Sequence, residues 1–364
     1  MRMRAGPIGV VTVFLLGVWA AQAEAAAPSQ PARTAAEVEA LIAQAGKTHP
    51  DWWDSVPLEV PPGLPLDWTN ENPKGVWNPQ KSLAQYIFSV INENPGRWKP
   101  GARLLEHCVE VNQNNDAALG QSTGALGHIY ADLLQDYARA AYWYDRSEDY
   151  GYEWDVELAN CDWKLGCKAL AAHTLKRIGA DTTRHGQAIK LWADIGELEQ
   201  ALRVAEAKAK AGEADIAWLM AGDACRQAGQ FPQAEAYYQK VLALPVPKPP
   251  LDVQRNQNRA QACLAGMKAG VALDLKRVPD GTYNSESMGY AGPLKVAVTV
   301  RGGQITDVKI VAQHEKQPFS ALTETPRRII DKQTVKGVDT FSSATITSEA
   351  IINATAKALA SGMK

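Results

Sequence analysis

The chain has 364 residues, 46% hydrophobic and 21% charged, with 40 acidic against 38 basic side chains. At roughly 100–200 residues per domain this length fits two or three domains, and the apolar content is too high for a disordered chain. A net charge of -2 offers no cationic footprint of the kind nucleic acids select, so no nucleic-acid partner is expected.

Arg2 and Arg4 precede an apolar run from Ile8 to Ala20, and Ala21-Gln22-Ala23 and Ala23-Glu24-Ala25 both fit A-x-A cleavage. This layout predicts a secretory signal peptide over 1–25, because the apolar run is shorter than the ~20 residues of a membrane span. The mature chain is therefore expected to be exported, periplasmic or extracellular, with no transmembrane segment. A second region, 26–80, combines a helical pattern over Ala35–Ala45 with a stretch rich in proline and tryptophan that includes Pro50, Trp52, Trp53, Pro61, Pro62, Trp68 and Trp77. Too many prolines for helix and too many aromatics for a solvated linker predict an ordered loop wrapped on the next domain.

Region 81–269 carries helical periodicity and an internal echo. Gly196-Glu197-Leu198-Glu199-Gln200-Ala201 matches Gly229-Gln230-Phe231-Pro232-Gln233-Ala234 at an offset of 33 residues. Trp218, Ala221, Gly222 and Cys225, then Ala234 and Tyr238, follow the same grammar, and Tyr137 to Tyr144 repeats the aromatic and alanine placement. These spacings resemble tetratricopeptide repeats, whose stacked helix pairs present a groove to partner proteins. Cys108, Cys161, Cys167, Cys225 and Cys263 are odd in number, so at least one thiol stays unpaired within the chain. Cys161 and Cys167 either close a short loop in an oxidising compartment or, if helical, lie on opposite faces; Cys225 suits core packing. Without Cys-x-x-Cys-His or cluster spacing, haem and iron–sulfur centres are not expected, and the scattered histidines give no metal site. A proline-rich connector, Pro245 to Pro250, and one further helix from Asp252 to Met267 lead out of this region.

The grammar changes at 270–364, which lacks tryptophan and carries a charge of +3. Leu294 to Val300 and Gln304 to Ala312 alternate with period two around Gly302-Gly303, a hairpin signal, and Asp280-Gly281-Thr282-Tyr283 enters another strand. Pro326–Asp331 and Ser348–Leu359 read as helices, with Ser348 as N-cap. The fold class expected is multidomain: all-α tetratricopeptide-like repeats followed by a small α+β domain with an antiparallel sheet.

Hydroxyl side chains crowd the segment Asp339-x-x-Ser342-Ser343-Ala344-Thr345-x-Thr347-Ser348. It resembles the D-x-x-S-G-A-T-x-T-S signature of the FMN-binding domain family, found in the periplasmic flavoprotein subunits of the sodium-pumping quinone reductase and the related ferredoxin-linked complex. Asp280-Gly281-x-Tyr283, Gly289-Tyr290-x-Gly292-Pro293-Leu294, Gly303-Gln304-Ile305, His314-Glu315 and Gln333 follow the family in order. The resemblance implies FMN held covalently, through a phosphoester to Thr345 made by a dedicated flavin transferase. It assigns Asp339, Ser342, Ser343, Ala344, Thr347 and Ser348 to the attachment loop, and Tyr290, Leu294, His314 and Glu315 to flavin contacts. Ser343 stands where the family has Gly; a left-handed backbone there would cost about 1 kcal/mol.

The function implied is an electron-transfer flavoprotein whose helical half docks a redox partner protein or membrane electron-transfer complex. Two alternatives stand beside it. One is an extracytoplasmic FMN-dependent reductase of a small substrate, with His314 the candidate proton donor; the other is a helical-repeat adaptor with a degenerate flavin domain.

Overall fold

The structure, a computed structural model, describes residues 32–72, 74–150, 154–178, 186–246 and 252–363. The expected signal peptide and residues 247–250 of the proline connector lie outside these.

Helix α1 (Ala35–Ala45) starts at a reciprocal cap: Thr34 Oγ1 accepts from Glu37 N, and Glu37 Oε2 accepts from Thr34 N at 2.8 Å. The described residues of 46–82 then run without a regular helix beyond one 3₁₀ turn at Trp53–Ser55. Side chains from the helices fasten this segment: Arg103 Nη1 donates to Trp53 O and Asn112 Nδ2 to Leu66 O, while Trp68 Nε1 donates to Ser122 Oγ at 2.8 Å. The first two satisfy backbone carbonyls that a proline-rich stretch cannot pair with itself, and the third pins the Trp68 ring to α4.

Among the described residues, ten further α-helices carry the chain to residue 242: α2 (Leu83–Tyr86), α3 (Trp98–Val111), α4 (Asp116–His128), α5 (Tyr137–Glu148), α6 (Asp155–Lys164), α7 (Lys168–Ile178), α8 (Gln187–Asp194), α9 (Leu198–Lys210), α10 (Ala214–Gln227) and α11 (Phe231–Leu242). Matched ends make hairpins of them. Gly196 and Gly229 have φ of 83° and 72°, and the next residue closes each helix, Glu197 N onto Trp192 O and Gln230 N onto Cys225 O. Both are Schellman ends, so the 33-residue echo is a repeated helix stop that needs glycine. Between paired helices, Gly222 lies against the Tyr238 ring, where a Cβ would come within 2.6 Å. The cysteines are all free and buried, so Cys161 and Cys167 close no loop. Cys225 is core, beside Leu219, Ala234 and Tyr238.

Helix α12 (Asp252–Ala272) runs past residue 270, where the change of grammar suggested a boundary, and packs on α11 behind it and on the last helix ahead. The C-terminal unit is an antiparallel sheet of order β1–β2–β3: β1 (Gly281–Met288), β2 (Pro293–Arg301) and β3 (Gln304–Ala312). Leu294, Val296, Val298 and Val300 point to the core from alternate positions of β2, and Gly302-Gly303, both at positive φ, turn the hairpin. Helix α13 (Ala321–Lys332) packs on β3. Helix α14 (Thr345–Gly362) lies between the sheet and α12, and is buried along almost its whole length. The protein is thus mostly helical with a three-stranded antiparallel sheet at its C-terminal end.

Candidate functional site

The loop that enters α14 is held from three sides. Asp339 accepts Lys164 Nζ at 2.8 Å, Lys190 Nζ at 3.1 Å and Arg328 Nη1 at 3.3 Å. Burial alone would raise its pKa, but the three cations hold the carboxyl far below the ordinary range. Two of those cations come from α6 and α8, so Asp339 ties the loop to the helical unit. Phe341 follows, its ring 4.2 Å beneath the Arg328 guanidinium and packed against the helical core.

Residues Ser342–Ala344 form one 3₁₀ turn, and α14 begins at Thr345. This corrects the expected N-cap: Ser348 sits one turn inside the helix, donating to Ala344 O at 3.0 Å and accepting from Phe341 N at 3.2 Å. The buried Ser348 hydroxyl therefore stitches the loop to the helix rather than capping it. Ser343 is exposed with φ outside the left-handed region, so the penalty considered for serine does not arise. Ala344 is buried in the helical core cluster. Thr345 is half-buried and its Oγ1 donates to Phe341 O at 3.0 Å.

Glu315 joins the sheet to α14. Its Oε1 accepts from Tyr290 N at 2.9 Å and its Oε2 from Thr347 Oγ1 at 2.5 Å. Gly289 is needed for this approach, because a Cβ there would lie 2.0 Å from Glu315 Oε1.

Between this loop and helices α8–α12 lies a cavity of about 710 Å³, within the range of about 300–1,000 Å³ that holds small-molecule ligands. Ser343, Ala344, Thr345, Thr347 and Tyr290 line it from the C-terminal unit; Lys190, Lys208, Met220, Arg226, Phe231, Arg259 and Met267 line it from the helices. Leu294 and His314 do not. Leu294 is fully buried in the sheet core, and His314 is exposed beside Gly292.

Three lining residues carry buried N–H donors without a partner: Arg226 Nε, Arg259 Nε and Gln317 Nε2. Gln317 also holds φ of 55°, a conformation rare outside glycine and retained where a site requires it. Apolar walls, unpaired donors and a threonine hydroxyl fit a flat, acceptor-rich, phosphorylated ring system, so the residues present suit FMN. The helical contributors left no mark in the motif. Lys190 and Asp194, one turn apart inside the apolar run Ala188 to Ile195, were the visible sign of a buried polar site.

Residues 289–360 match the family model described as the FMN-binding domain. Residues 289–360 form an FMN-binding domain. A chain with that domain is a flavoprotein, and its FMN-binding domain supplies one wall of the cavity. The chain is also 37% identical over 82 residues to an uncharacterized protein of Treponema pallidum (strain Nichols), covering 22% of this chain and 22% of that protein. The similarity thus spans under a quarter of that relative's length. No solved structure matches the chain.

Proposed function

We propose that this flavoprotein carries FMN through a phosphoester to Thr345, in the cavity between its two units, and passes electrons between that flavin and a redox partner. The observation that carries the reading is the Thr345 hydroxyl at the start of α14, lining a cavity with three unpartnered N–H donors. FMN supplies the redox chemistry when bound; the protein sets orientation, access and charge. A phosphate on Thr345 stands at the N-terminal end of an 18-residue helix, where free amides and the helix dipole favour an anion. Asp339 holds the attachment loop on Lys164 and Lys190, and Glu315 orients Thr347 and the Tyr290 backbone. Maturation requires a flavin transferase, since a threonine hydroxyl is a weak nucleophile at neutral pH.

The basic start, apolar run and A-x-A sites of residues 1–25 support export, and a covalent tether suits a compartment where lost cofactor is not replaced. Among the described residues no helix is long and apolar enough to cross a membrane. In this reading the outer surface of the helical unit receives the partner, while its inner face walls the flavin.

Enclosure of the cavity by helices α8–α12 favours a second reading, direct reduction of a small substrate beside the flavin. The two readings diverge in one assay: flavin reoxidation by small acceptors alone supports the second, and reoxidation that needs a protein supports the first. The test of the shared core is co-expression with a flavin transferase. Flavin fluorescence should survive denaturing electrophoresis in the native chain and vanish in Thr345→Ala; fluorescence retained by the variant contradicts the assignment.

A further inference from the structure

Between β3 and α13 the chain runs through Lys316-Gln317-Pro318-Phe319-Ser320, and the first two of these residues line the cavity. This strap is strained at two positions. Gln317 and Phe319 hold φ of 55° and 46°, a left-handed backbone that residues other than glycine rarely adopt. Gln317 also precedes a proline, which ordinarily drives the residue before it to an extended conformation.

The helical unit keeps the strap from relaxing. Phe319 is buried in the helical core, its ring edge-on to His128 at 5.3 Å, and Ser320 Oγ donates to Asp132 O at 3.4 Å. Asp132 fixes His128 in turn, with 2.7 Å between Oδ2 and Nδ1. On the other side of Gln317, Glu315 is held by Tyr290 N and Thr347 Oγ1. Between these anchors Gln317 Nε2 is buried and has no partner. An unpaired buried amide costs free energy, and so does the left-handed backbone that carries it. Both costs fall on one residue of the cavity wall. An acceptor on a bound ligand removes the first and accounts for the second. Arg226 Nε and Arg259 Nε differ, because their guanidiniums already bond Glu349 through Nη2.

We propose that Gln317 binds the cofactor directly, its side-chain amide donating to a carbonyl oxygen of the isoalloxazine ring. This rests on the reading of FMN at Thr345. In that reading the phosphate has the free amides at the start of α14, which leaves the uncharged amide for the uncharged ring. Packing sets the donor before the cofactor arrives, so little side-chain freedom is lost on binding. Reduction places more electron density on the ring carbonyls, and a donor fixed against one of them favours the reduced flavin. Gln317 lies outside every motif that carries the family resemblance. The helical unit that pins Phe319 therefore reaches the flavin through it.

The test uses the full chain, flavin-free and loaded by a flavin transferase, as native protein, Gln317→Gly, Gln317→Leu and Gln317→Asn. Flavin-free Gln317→Gly loses the unpaired donor and accepts the left-handed backbone, so it should melt above the native chain. Loading should raise the melting temperature of the native chain more than that of Gln317→Gly. In the loaded protein, Gln317→Gly and Gln317→Leu should shift the visible flavin bands. They should also disfavour reduction about tenfold, which is about 30 mV in a two-electron potential. Gln317→Asn keeps an amide and tolerates the left-handed backbone, so it should recover part of that loss. Flavin-free Gln317→Gly melting no higher than the native chain overturns the proposal, and so do an unchanged spectrum and potential in its loaded form. The glycine variant decides the matter even if Gln317→Leu fails to fold. A native chain that takes up no flavin beside a loaded control protein overturns the covalent reading, and this assignment with it. A loaded native chain that matches its loaded variants overturns the assignment alone.

Discussion

Lys190 Nζ donates to Asp339 Oδ1 at 3.1 Å across 149 residues of sequence, and the same ammonium reaches Asp194 at 2.5 Å. One buried cation therefore binds a carboxylate of its own helix and a carboxylate of the loop that enters α14. Lys164 adds a second ammonium to Asp339 from α6. The helical unit and the FMN-binding domain are joined at the loop proposed to carry the cofactor, so stability and cofactor retention should change together.

Asp339→Asn leaves buried Lys164 and Lys190 and half-buried Arg328 without their shared carboxylate. Removing one partner of a buried ion pair costs about 3–5 kcal/mol. Urea denaturation should show a loss of that size, and limited proteolysis should cut the loop around residue 341 in the variant before it cuts the native chain.

Two other carboxyls, half-buried Glu157 and buried Asp162, give the chain an opposite response to pH. Burial, reinforced by neighbouring acids, raises Glu157 from 4.5 to about 7 and Asp162 from 3.8 to about 7. The folded state then holds protons that the unfolded chain has released, so this stability is full below about pH 4 and lost as pH rises toward about 7. Asp339 acts the other way: its depressed pKa contributes stability above the unfolded value of 3.8 and loses it in stronger acid. Thermal melts should fall from about pH 5 to about pH 7.5, and the double variant Glu157→Gln, Asp162→Asn should flatten that slope by on the order of 3 kcal/mol.

Much of the C-terminal unit was legible because its signals are local. Alternation at Val296, Val298 and Val300 fixes the buried face of β2, and Gly302-Gly303 fixes the turn. The glycine stops at 196 and 229 are equally local. The join between the units was not legible. Lys164 and Asp339 are 175 residues apart, and no periodicity records that a lysine on one helix will meet an aspartate on a distant loop. The start of α14 was placed one turn late because Ser348 has the chemistry of a cap, whereas its hydroxyl is used inside the helix. The order of the motif also does not record that strand alternation buries Leu294 in the sheet core or that His314 lies on the surface.

Helix pairing supplies a steric prediction. A Cβ at Gly222 would meet the Tyr238 ring at 2.6 Å, whereas one at Gly96 would meet nothing within 4 Å. Gly222→Ala should destabilise the chain by about 1–3 kcal/mol. Gly96→Ala should leave the melting temperature within error or slightly raised, and equal losses at both sites would contradict this packing.

The attachment loop supplies another. Ser348→Ala strands the half-buried Phe341 N–H, which should cost about 1–3 kcal/mol. Ser343→Gly restores the family's residue, yet the backbone there is not left-handed, so calorimetry should show no gain in stability. A gain of about 1 kcal/mol would mean that the loop adopts the strained form.

The central claim is the covalent bond at Thr345, and peptide mass mapping tests it most directly. The chain would be co-expressed with an active flavin transferase, denatured, digested and fragmented. The peptide containing Thr345 should gain the mass of one FMN less water, with the fragment ions assigning the addition to that residue. An unmodified Thr345 peptide beside a fully flavinylated control protein, or FMN on another hydroxyl of the loop, would contradict it.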